Sequence, residues 1–348
     1  MCELFGLCSN REVGVSFSWR GFIQRGRVNY HGWGIAFYRD NAAMIVKEPQ
    51  PAPESPMAHF LRNIVRSRIV VSHVRLASRG VPSYANTHPF MRELYGRDWV
   101  FAHNGDVNIR DNREFRLKYY FPLGETDSEY AFCYIMDRLR GLRREVLDDV
   151  VEVSKVVWRM AKRIGDYGKF NFLLSDGGWL YAYMNRSGTL YYVLRHPPHQ
   201  GYVNLVDEDF EVNLEEMKSG DEMATLIATK PLTNEKWIPF DVGKLLVFKN
   251  GDLILRVSSE RRLDVPLSSV EKEVLRVVRS SPHSMKLADI ADRVGMDVGE
   301  VAKVVRQLLC KNYLRQHSRD RVGPNHPEAR FYTSKNIRPL IDKVLLKR

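Results

Sequence analysis

The chain has 348 residues, of which 44% are apolar and 27% are charged, and its net charge is +11. This composition is typical of a globular protein with an ample core, and it excludes a disordered or collagen-like chain. Four Cys in this length exclude a disulfide framework, and no apolar run reaches the roughly 18 residues of a membrane-spanning helix. Because no leader precedes the second residue, we expect a cytoplasmic protein with no membrane partner.

Positive charge is concentrated near the C-terminal end of the chain. Residues 268–348 hold 17 Lys and Arg against 9 Asp and Glu, a net charge of +8, whereas residues 1–267 have a net charge of only +3. Such segregation is expected where one domain meets a polyanion, although a solvated basic surface without a partner is the alternative. We therefore expect one domain over 2–260 and a second domain over 267–348.

Short strands and two helices make up the first domain. Apolar residues that recur at three and four positions predict helices over 128–139 and 144–164. Runs rich in Val, Ile, Tyr, Phe and Trp, separated by Asp-Gly and Asn-Gly turns, favour antiparallel strands. The predicted strands are 33–38, 43–47, 69–75, 99–103, 169–175, 179–184, 190–194, 223–229, 245–249 and 253–257. Strands, then helices, then strands indicate an α+β sandwich rather than alternating βαβ units.

Cys2 is the first candidate for chemistry. Removal of the initiator Met would leave it as the N-terminal residue, with a thiol and a free α-amine on one residue. Their unperturbed pKa values are about 8.5 and about 8, so the amine is a local base for the thiol. A small buried apolar residue is the alternative interpretation of a Cys near a terminus. The other three cysteines have no metal-type spacing, and we expect them in the core.

Two motifs follow in the first half of the chain. Residues 72–80, SHVRLASRG, place Arg75 at a strand end, where a guanidinium can form a planar, bidentate pair with a carboxylate. Residues 86–90, NTHPF, form a polar turn around His88. Taken singly, such an Arg is usually in a surface ion pair and such a His is a turn residue.

Two further motifs come before the first helix. In residues 101–106, FAHNGD, a strand runs into Asn104 and Gly105. An Asn side-chain amide and the next backbone amide can converge on one developing oxyanion, and Gly permits the close approach. In residues 124–129, GETDSE, one carboxylate can cap the helix and another can face a ligand amine. Each motif alone is more often a turn or a helix cap, so the specificity lies in the ordered set.

The ordered set resembles the class II glutamine amidotransferase domain of the Ntn-hydrolase superfamily over residues 2–260. The opening CELFG and residues 31–38, HGWGIAFY, look closest to the stand-alone predicted amidotransferases of that family. The resemblance implies an αββα four-layer sandwich that needs no metal or organic cofactor. It assigns the catalytic nucleophile to Cys2 and the oxyanion donors to Asn104 and Gly105.

The resemblance also implies a glutamine-binding set. The clamp for the α-carboxylate corresponds to Arg75, and the acceptor for the α-ammonium corresponds to Asp127. His88 matches a His near the glutamine site, and Ser78 is expected to supply a hydroxyl contact. Residues 77–80, ASRG, depart from the Ala-Thr-His-Gly or Ser-Thr-Ala-Gly that is usual in synthase-attached relatives.

The expected reaction is hydrolysis of the glutamine side-chain amide through a γ-glutamyl thioester, which gives glutamate and ammonia. No Gly-rich phosphate loop and no synthetase or sugar-isomerase domain is visible, so an acceptor or synthetase subunit is an expected partner. Two alternatives stay open. The site hydrolyses another γ-glutamyl amide, or the protein is a glutamine-sensing DNA-binding regulator with weak or no catalysis.

The second domain is predicted to contain three amphipathic helices followed by a strand pair. The predicted helices are 267–279, 286–294 and 297–310, and the predicted strands are 313–317 and 329–333. Gly295 falls in the turn between the second and third helices, and the whole resembles a winged helix-turn-helix domain that binds double-stranded DNA. Dimerisation and docking of a partner enzyme are the alternatives. The predicted nucleic-acid-binding residues are Lys303, Arg306, Lys311, Arg315, Arg319, Arg321 and Arg330.

Overall fold

The computed structural model divides the chain into two compact units. It describes residues 2–186, 189–318 and 320–346. The N-terminal unit contains the residues up to Arg144 and Ser154–Arg262, and the C-terminal unit contains Glu145–Val153 and the residues from Leu263 onward. No helix in the described part of the chain is long and apolar enough to cross a membrane.

The N-terminal unit is built mainly of antiparallel strands. Its strands are β1 (Glu3–Gly14), β2 (Trp33–Arg39), β3 (Ala42–Glu48), β4 (Arg66–Val74), β5 (Phe90–Leu94), β6 (Arg97–Asn104), β7 (Asn171–Ser175), β8 (Leu180–Tyr183), β9 (Tyr191–Arg195), β10 (Tyr202–Asn204), β11 (Glu211–Asn213), β12 (Ala224–Ala228), β13 (Ile238–Pro239), β14 (Leu245–Lys249) and β15 (Asp252–Val257). Its helices are α1 (Ser16–Gln24), α2 (Pro56–Ile64), α3 (Asp127–Arg140), α4 (Val150–Gly165, whose first turn belongs to the C-terminal unit) and α5 (Leu214–Met217).

Two sheets form the centre of this unit. The first has the order β13-β9-β12-β1-β4-β2-β3, and the second has the order β15-β14-β8-β7-β6-β5, while β10 and β11 form a separate pair. Leu4 and Ala102 belong to the apolar cluster that lies between the sheets. On the outer face of the first sheet, Phe22 of α1 packs on Phe5 with ring centroids 5.6 Å apart. On the outer face of the second, Phe132 of α3 stacks on Phe101 of β6, with ring centroids 5.1 Å apart.

These contacts give the layer order helix, sheet, sheet, helix, so the predicted combination of helices with antiparallel strands is confirmed for this unit. The predicted helix over 144–164 starts too early, because helix α4 begins at Val150. The reason is local: the Asp149 carboxylate accepts a hydrogen bond from Val151 N at 3.1 Å, as a helix cap does. Helices α1 and α2 were not predicted.

The described residues of the C-terminal unit form α-helices and a small sheet. Its helices are α6 (Ser269–Ser280), α7 (Leu287–Val294), α8 (Val298–Cys310) and α9 (Arg338–Leu340), and its strands are β16 (Leu263–Asp264), β17 (Met285–Lys286), β18 (Leu314–Gln316) and β19 (Arg330–Thr333). Strands β17, β19 and β18 form an antiparallel sheet in that order. Helix α7 ends at Gly295, whose φ of +70° favours glycine, and the Asp297 side chain caps α8.

Candidate active site

The ends of three strands meet around Cys2. Strand β1 pairs antiparallel with β4 and with β12, so that Glu3 lies opposite Val74 and Phe5 lies opposite Ala228. The start of β1 therefore lies beside the ends of the other two strands. Cys2 directly precedes β1, so it lies next to the C-terminal ends of β4 and β12.

The thiol of Cys2 contacts the backbone of Leu76. Leu76 N donates a hydrogen bond to Sγ at 3.2 Å, and Sγ lies 3.3 Å from Leu76 O. Burial raises the pKa of the Cys2 thiol, whereas the Leu76 hydrogen bond and the positive charge of Arg75 oppose that rise and the charge of Asp106 adds to it. Since only the thiolate is a strong nucleophile, a thiol with a raised pKa needs a nearby base.

Asn104 ends strand β6 with its amide held from both sides. The side chain is only 1% exposed. Its Nδ2 donates to Thr229 Oγ1 at 3.5 Å, and Lys169 Nζ donates to its Oδ1 at 3.3 Å. Thr229 Oγ1 also accepts a hydrogen bond from Leu4 N at 2.7 Å. The amide is thereby oriented by Lys169 and Thr229, and Thr229 is itself held by strand β1.

Gly105 follows in a position that no larger residue can occupy. A Cβ built there would lie 1.8 Å from the carbonyl oxygen of Lys169, far inside any van der Waals contact. The backbone of Gly105 therefore passes directly against that of Lys169, which brings the Lys169 side chain to Asn104. Close backbone approach is the reason for glycine here.

Lys169 and Thr229 were not identified from the sequence as site residues. Burial lowers the pKa of Lys169, and the nearby Cys2 and Asp106 oppose that shift. Thr229 comes directly after β12, as Leu76 follows close behind β4. Their position at or near a strand end is a sequence signal for a site residue. The local sequence does not indicate, however, which strand ends lie together in the fold.

Arg75 is only 3% exposed, and the loop that follows it surrounds its guanidinium. It donates to Arg79 O at 2.7 Å, to Gly80 O at 2.9 Å and to Val81 O at 3.4 Å. Burial lowers the pKa of Arg75, and the nearby Cys2 opposes the shift. The predicted carboxylate clamp thus lies near Cys2, and its guanidinium also orders the loop that follows it.

Other residues of the same loop have partners that the motifs did not indicate. Ser78 donates a hydrogen bond from Oγ to the Asp106 carboxylate. Ala77 N donates to His31 Nδ1 at 2.9 Å, so the HGWG motif supports the loop as well. Ser78 therefore joins the Arg75 loop to the segment after Gly105.

Asp127 is the first residue of helix α3 and is 5% exposed. Its Oδ2 accepts a hydrogen bond from Val107 N at 2.7 Å. The helix cap is Thr126, whose side chain accepts from Glu129 N, so the expectation that a carboxylate caps this helix is wrong. A carboxylate in the first turn of a helix is favoured by the helix dipole.

His88 lies in the protein interior. Its ring contacts the tilted ring of His73 at a centroid distance of 4.2 Å, and neither ring nitrogen of His88 has a hydrogen-bond partner among the described residues. Burial lowers the pKa of His88 well below its usual range, and burial lowers that of His73 to about 3. Both rings are therefore neutral at neutral pH. Within the described residues, no group of three or more His, Cys, Asp or Glu is arranged to hold a metal ion.

A family model described as glutamine amidotransferases class-II matches residues 1–293. The chain belongs to this family. It is 39% identical to an uncharacterized protein of Methanocaldococcus jannaschii, over 99% of this chain and 96% of that one. It is also 36% identical to YafJ of Escherichia coli, a protein that carries the name of a glutamine amidotransferase, over 73% of this chain and all of that one.

Solved structures agree with this membership. A predicted glutamine amidotransferase from Pseudomonas aeruginosa matches with a TM-score of 0.53 and 30% identity, over 72% of this chain and 99% of that one. Glutamine phosphoribosylpyrophosphate amidotransferase of Bacillus subtilis, at 13% identity and a TM-score of 0.52, over 81% of this chain and 59% of that one, shows the shared fold. This class-II glutamine amidotransferase is an enzyme of the Ntn-hydrolase type.

The predicted basic residues of the C-terminal unit differ in their surroundings. Lys303 and Arg306 are exposed on helix α8. Lys311 instead donates to the Glu271 carboxylate at 2.9 Å, so part of its charge is already balanced. Arg319 lies outside the described residues. Exposed positions in or near strands β18 and β19 are Arg315, Arg321 and Arg330.

Proposed function

We propose that this amidotransferase hydrolyses the side-chain amide of glutamine with Cys2 as its N-terminal nucleophile, after removal of Met1. The observation that carries the proposal is the position of the Cys2 thiol, which contacts Leu76 and lies within the electrostatic influence of Arg75 and Asp106. Asn104 lies beside Thr229, which pairs with strand β1 two residues after the thiol. These contacts support a shared role for Cys2, Arg75 and Asn104 in the proposed reaction.

Each residue has a role in the proposed mechanism. Arg75 and Asp127 bind the α-carboxylate and the α-ammonium of glutamine and place its amide carbon against the Cys2 thiol. The free α-amine of Cys2 accepts the thiol proton and passes it to the leaving ammonia.

The tetrahedral intermediate requires stabilisation of its negative oxygen. Asn104 Nδ2 and Gly105 N are proposed to donate to this oxyanion, and each such donor contributes about 3 kcal/mol in comparable sites. Lys169 and Thr229 act as positioning residues, because they hold the Asn104 amide. Water then cleaves the γ-glutamyl thioester to glutamate, and the ammonia passes to an acceptor on a partner subunit.

The glutamine analogue 6-diazo-5-oxonorleucine tests this proposal directly. We expect one adduct per chain, located by mass spectrometry on a peptide that begins at Cys2, and protection from labelling by excess glutamine. Cys310 is an internal control, because it is an exposed free cysteine, so the expectation that it lies in the core is wrong, whereas Cys8 and Cys133 are buried. Labelling of Cys310 with Cys2 unmodified, or active protein that retains Met1, would contradict the mechanism.

We further propose that the C-terminal unit is a winged helix-turn-helix domain that binds double-stranded DNA. The supporting observation is the order of its elements: helices α6, α7 and α8 precede the β18–β19 strand pair, with a left-handed glycine between α7 and α8. Lys303 and Arg306 are one helical turn apart on α8, the position of a recognition helix. A docking surface for a second copy or for an acceptor enzyme is the competing use of this unit.

A further inference from the structure

Asn86, the first residue of the NTHPF motif, lies between the two loops that carry the proposed glutamine clamps. One loop, residues 76–81, follows Arg75, and the other, residues 123–126, precedes Asp127 at the start of helix α3. Asn86 is only 2% exposed, and its side-chain amide is hydrogen-bonded to both loops. One buried amide is therefore shared by two loops whose proposed tasks differ.

The donor side of the amide contacts the Arg75 loop. Asn86 Nδ2 donates to Val81 O at 3.1 Å, and the same carbonyl accepts from Arg75 Nη1 at 3.4 Å. A Cβ built at Gly80 would lie 2.8 Å from Asn86 Nδ2, and the φ of +73° at this residue favours glycine. A single carbonyl group thus lies between the Asn86 amide and the guanidinium that is proposed to bind the α-carboxylate.

The acceptor side of the amide contacts the loop before α3. Asn86 Oδ1 accepts a hydrogen bond from Glu125 N at 2.8 Å, two residues before Asp127. A Cβ built at Gly124 would overlap the same Oδ1 atom, so glycine is required for this close approach. Each loop therefore meets the amide through one backbone hydrogen bond and one glycine.

The turn that carries Asn86 is itself held in place. Asn86 N donates to Ser83 Oγ at 3.3 Å, and Thr87 Oγ1 donates to Ser83 O at 2.7 Å. Lys47 Nζ, on strand β3, donates to Thr87 O at 2.7 Å. The amide is thus fixed relative to the first sheet, and the two loops are positioned against it.

We propose that Asn86 is a positioning residue that sets the spacing between Arg75 and Asp127, and that it thereby selects substrates with an α-carboxylate and an α-ammonium on one carbon. The inference rests on the proposed function, in which these two residues bind the ends of glutamine. A side-chain amide suits this role because it carries a donor and an acceptor on one planar group. The described contacts of Asn86 include neither Cys2 nor Asn104, so its loss should affect substrate selection rather than the chemical step.

Three substrates that share the carboxamide test the inference. Glutamine has both ends, glutaramate lacks the α-ammonium, and 4-aminobutanamide lacks the α-carboxylate. Ammonia release by the full-length wild-type protein gives kcat/KM for each compound. We expect the value for glutamine to exceed each of the other two by about tenfold or more, as the loss of one charge-assisted contact predicts.

Two variants of Asn86 should change these ratios in different ways. Asn86→Leu, which is similar in size but has no amide, should raise KM for glutamine about tenfold, keep kcat within about twofold and lower both ratios. Asn86→Asp keeps an acceptor for Glu125 N and loses the donor to Val81 O. It should therefore lower the ratio of glutamine to 4-aminobutanamide and retain the ratio of glutamine to glutaramate.

Asn10 provides the matched control. Its Nδ2 donates to Asp221 O at 2.8 Å and its Oδ1 accepts from Met223 N at 3.0 Å, so its amide also joins two backbone groups of another segment. Asn10→Leu should keep the wild-type KM and both wild-type ratios.

The outcomes separate the inference from the function on which it rests. A folded Asn86→Leu protein with wild-type KM and ratios would overturn the inference and leave the proposed function intact. An equal loss for all three substrates, with the ratios kept, would show a merely structural role and would also overturn it. A wild-type protein that releases no ammonia from glutamine would remove the proposed function first.

Hydrogen exchange of the wild-type protein decides the question where the variants do not fold. Glutarate offers a carboxylate to Arg75 and no ammonium to Asp127. If Asn86 couples the two loops, saturating glutarate should slow amide exchange several-fold in a peptide that covers 123–126 as well as in one that covers 79–82. Protection confined to the second peptide would overturn the inference.

Discussion

The two units of this protein use their polar residues in opposite ways. In the N-terminal unit Arg75, Asn104 and Asp127, which are proposed to act on the substrate, are buried and hydrogen-bonded, as Asn104 is to Lys169 and Thr229. In the C-terminal unit the predicted DNA-contacting cations are mostly exposed, as Lys303 and Arg306 are. A buried polar group loses its function when one partner is removed, whereas exposed charges contribute small and nearly additive amounts. Substitutions of these residues should therefore have large effects on activity in the first unit, and substitutions of the exposed cations should have small effects on DNA binding in the second.

The nucleophile should give the largest effect. Cys2→Ala should lower glutamate release from glutamine about a thousandfold or more, because no other group in the proposed mechanism forms the thioester. The measurement is steady-state release of glutamate by purified protein. Cys310→Ala, at an exposed cysteine of the other unit, should keep the wild-type rate. Comparable activity in the two variants would show that the chemistry does not pass through Cys2.

The oxyanion donor should come next. Asn104→Ala should lower kcat about a hundredfold with little change in KM, because the amide is proposed to act on charge that develops only in the transition state. Thr229→Val removes the acceptor that orients this amide and should reduce kcat less. Rapid-quench kinetics that isolate thioester formation provide the measurement. An unchanged rate of that step in Asn104→Ala would make the oxyanion assignment wrong.

Most strands of the N-terminal unit could be predicted from the sequence, but two of its helices could not. The predicted strands are present with their ends shifted by a few residues, because alternating apolar and β-branched residues are a local signal. Helix α1 was missed, since its sequence SFSWRGFIQ is rich in aromatic residues and contains a glycine, which obscures the helical period. Helix α2 follows a Ser-Pro start, which is a helix signal that was overlooked.

In the candidate site, too, the residues of local motifs could be predicted, whereas their partners from distant parts of the sequence could not. Arg75, Asn104 and Asp127 stand at or beside the ends of local elements, so their positions followed from local motifs, while their roles stay predictions. Thr229 meets Leu4 across 225 positions of sequence, and Lys169 meets Asn104 across 65. Contacts of that kind depend on strand order in the sheets, which no local pattern specifies. Lys169 and Thr229 could therefore not be predicted from the sequence, whereas Asn104, which they contact, lies in a local motif.

The buried imidazoles of the N-terminal unit allow a stability test of moderate size. Burial holds the pKa of His73 at about 3, below the usual value of about 6.5 for the unfolded chain. As pH falls from about 6.5 toward about 3, the unfolded state binds a proton that the folded state does not, so stability falls by up to about 1.4 kcal/mol per pH unit. His73→Leu should make this dependence shallower.

Tryptophan fluorescence reports on the N-terminal unit alone, because all six Trp lie in residues assigned to it. Urea unfolding followed in this way at pH 7, 6 and 5 provides the measurement. His283→Leu, at an exposed position of the C-terminal unit, is the control and should keep the wild-type pH dependence. A His73→Leu protein with an unaltered slope would mean that the imidazole is protonated in the folded state.

The smallest effects are expected for the exposed cations of helix α8. If this helix contacts phosphates, Arg306→Ala and Lys303→Ala should each weaken duplex DNA binding a few-fold and lower the slope of log K against log salt by about 0.9, because each removes one counterion-releasing contact. The double variant should lower the slope by about twice that amount, since the two side chains are exposed and act independently. Full-length protein titrated onto labelled duplex at several salt concentrations gives both values.

Lys335→Ala, at an exposed residue outside α8 and the strand pair, is the matched control and should leave the slope unchanged. Equal losses for the control and the helix variants would indicate a diffuse attraction to the positive unit rather than a binding helix, and the absence of binding at low salt would favour a protein partner for this unit.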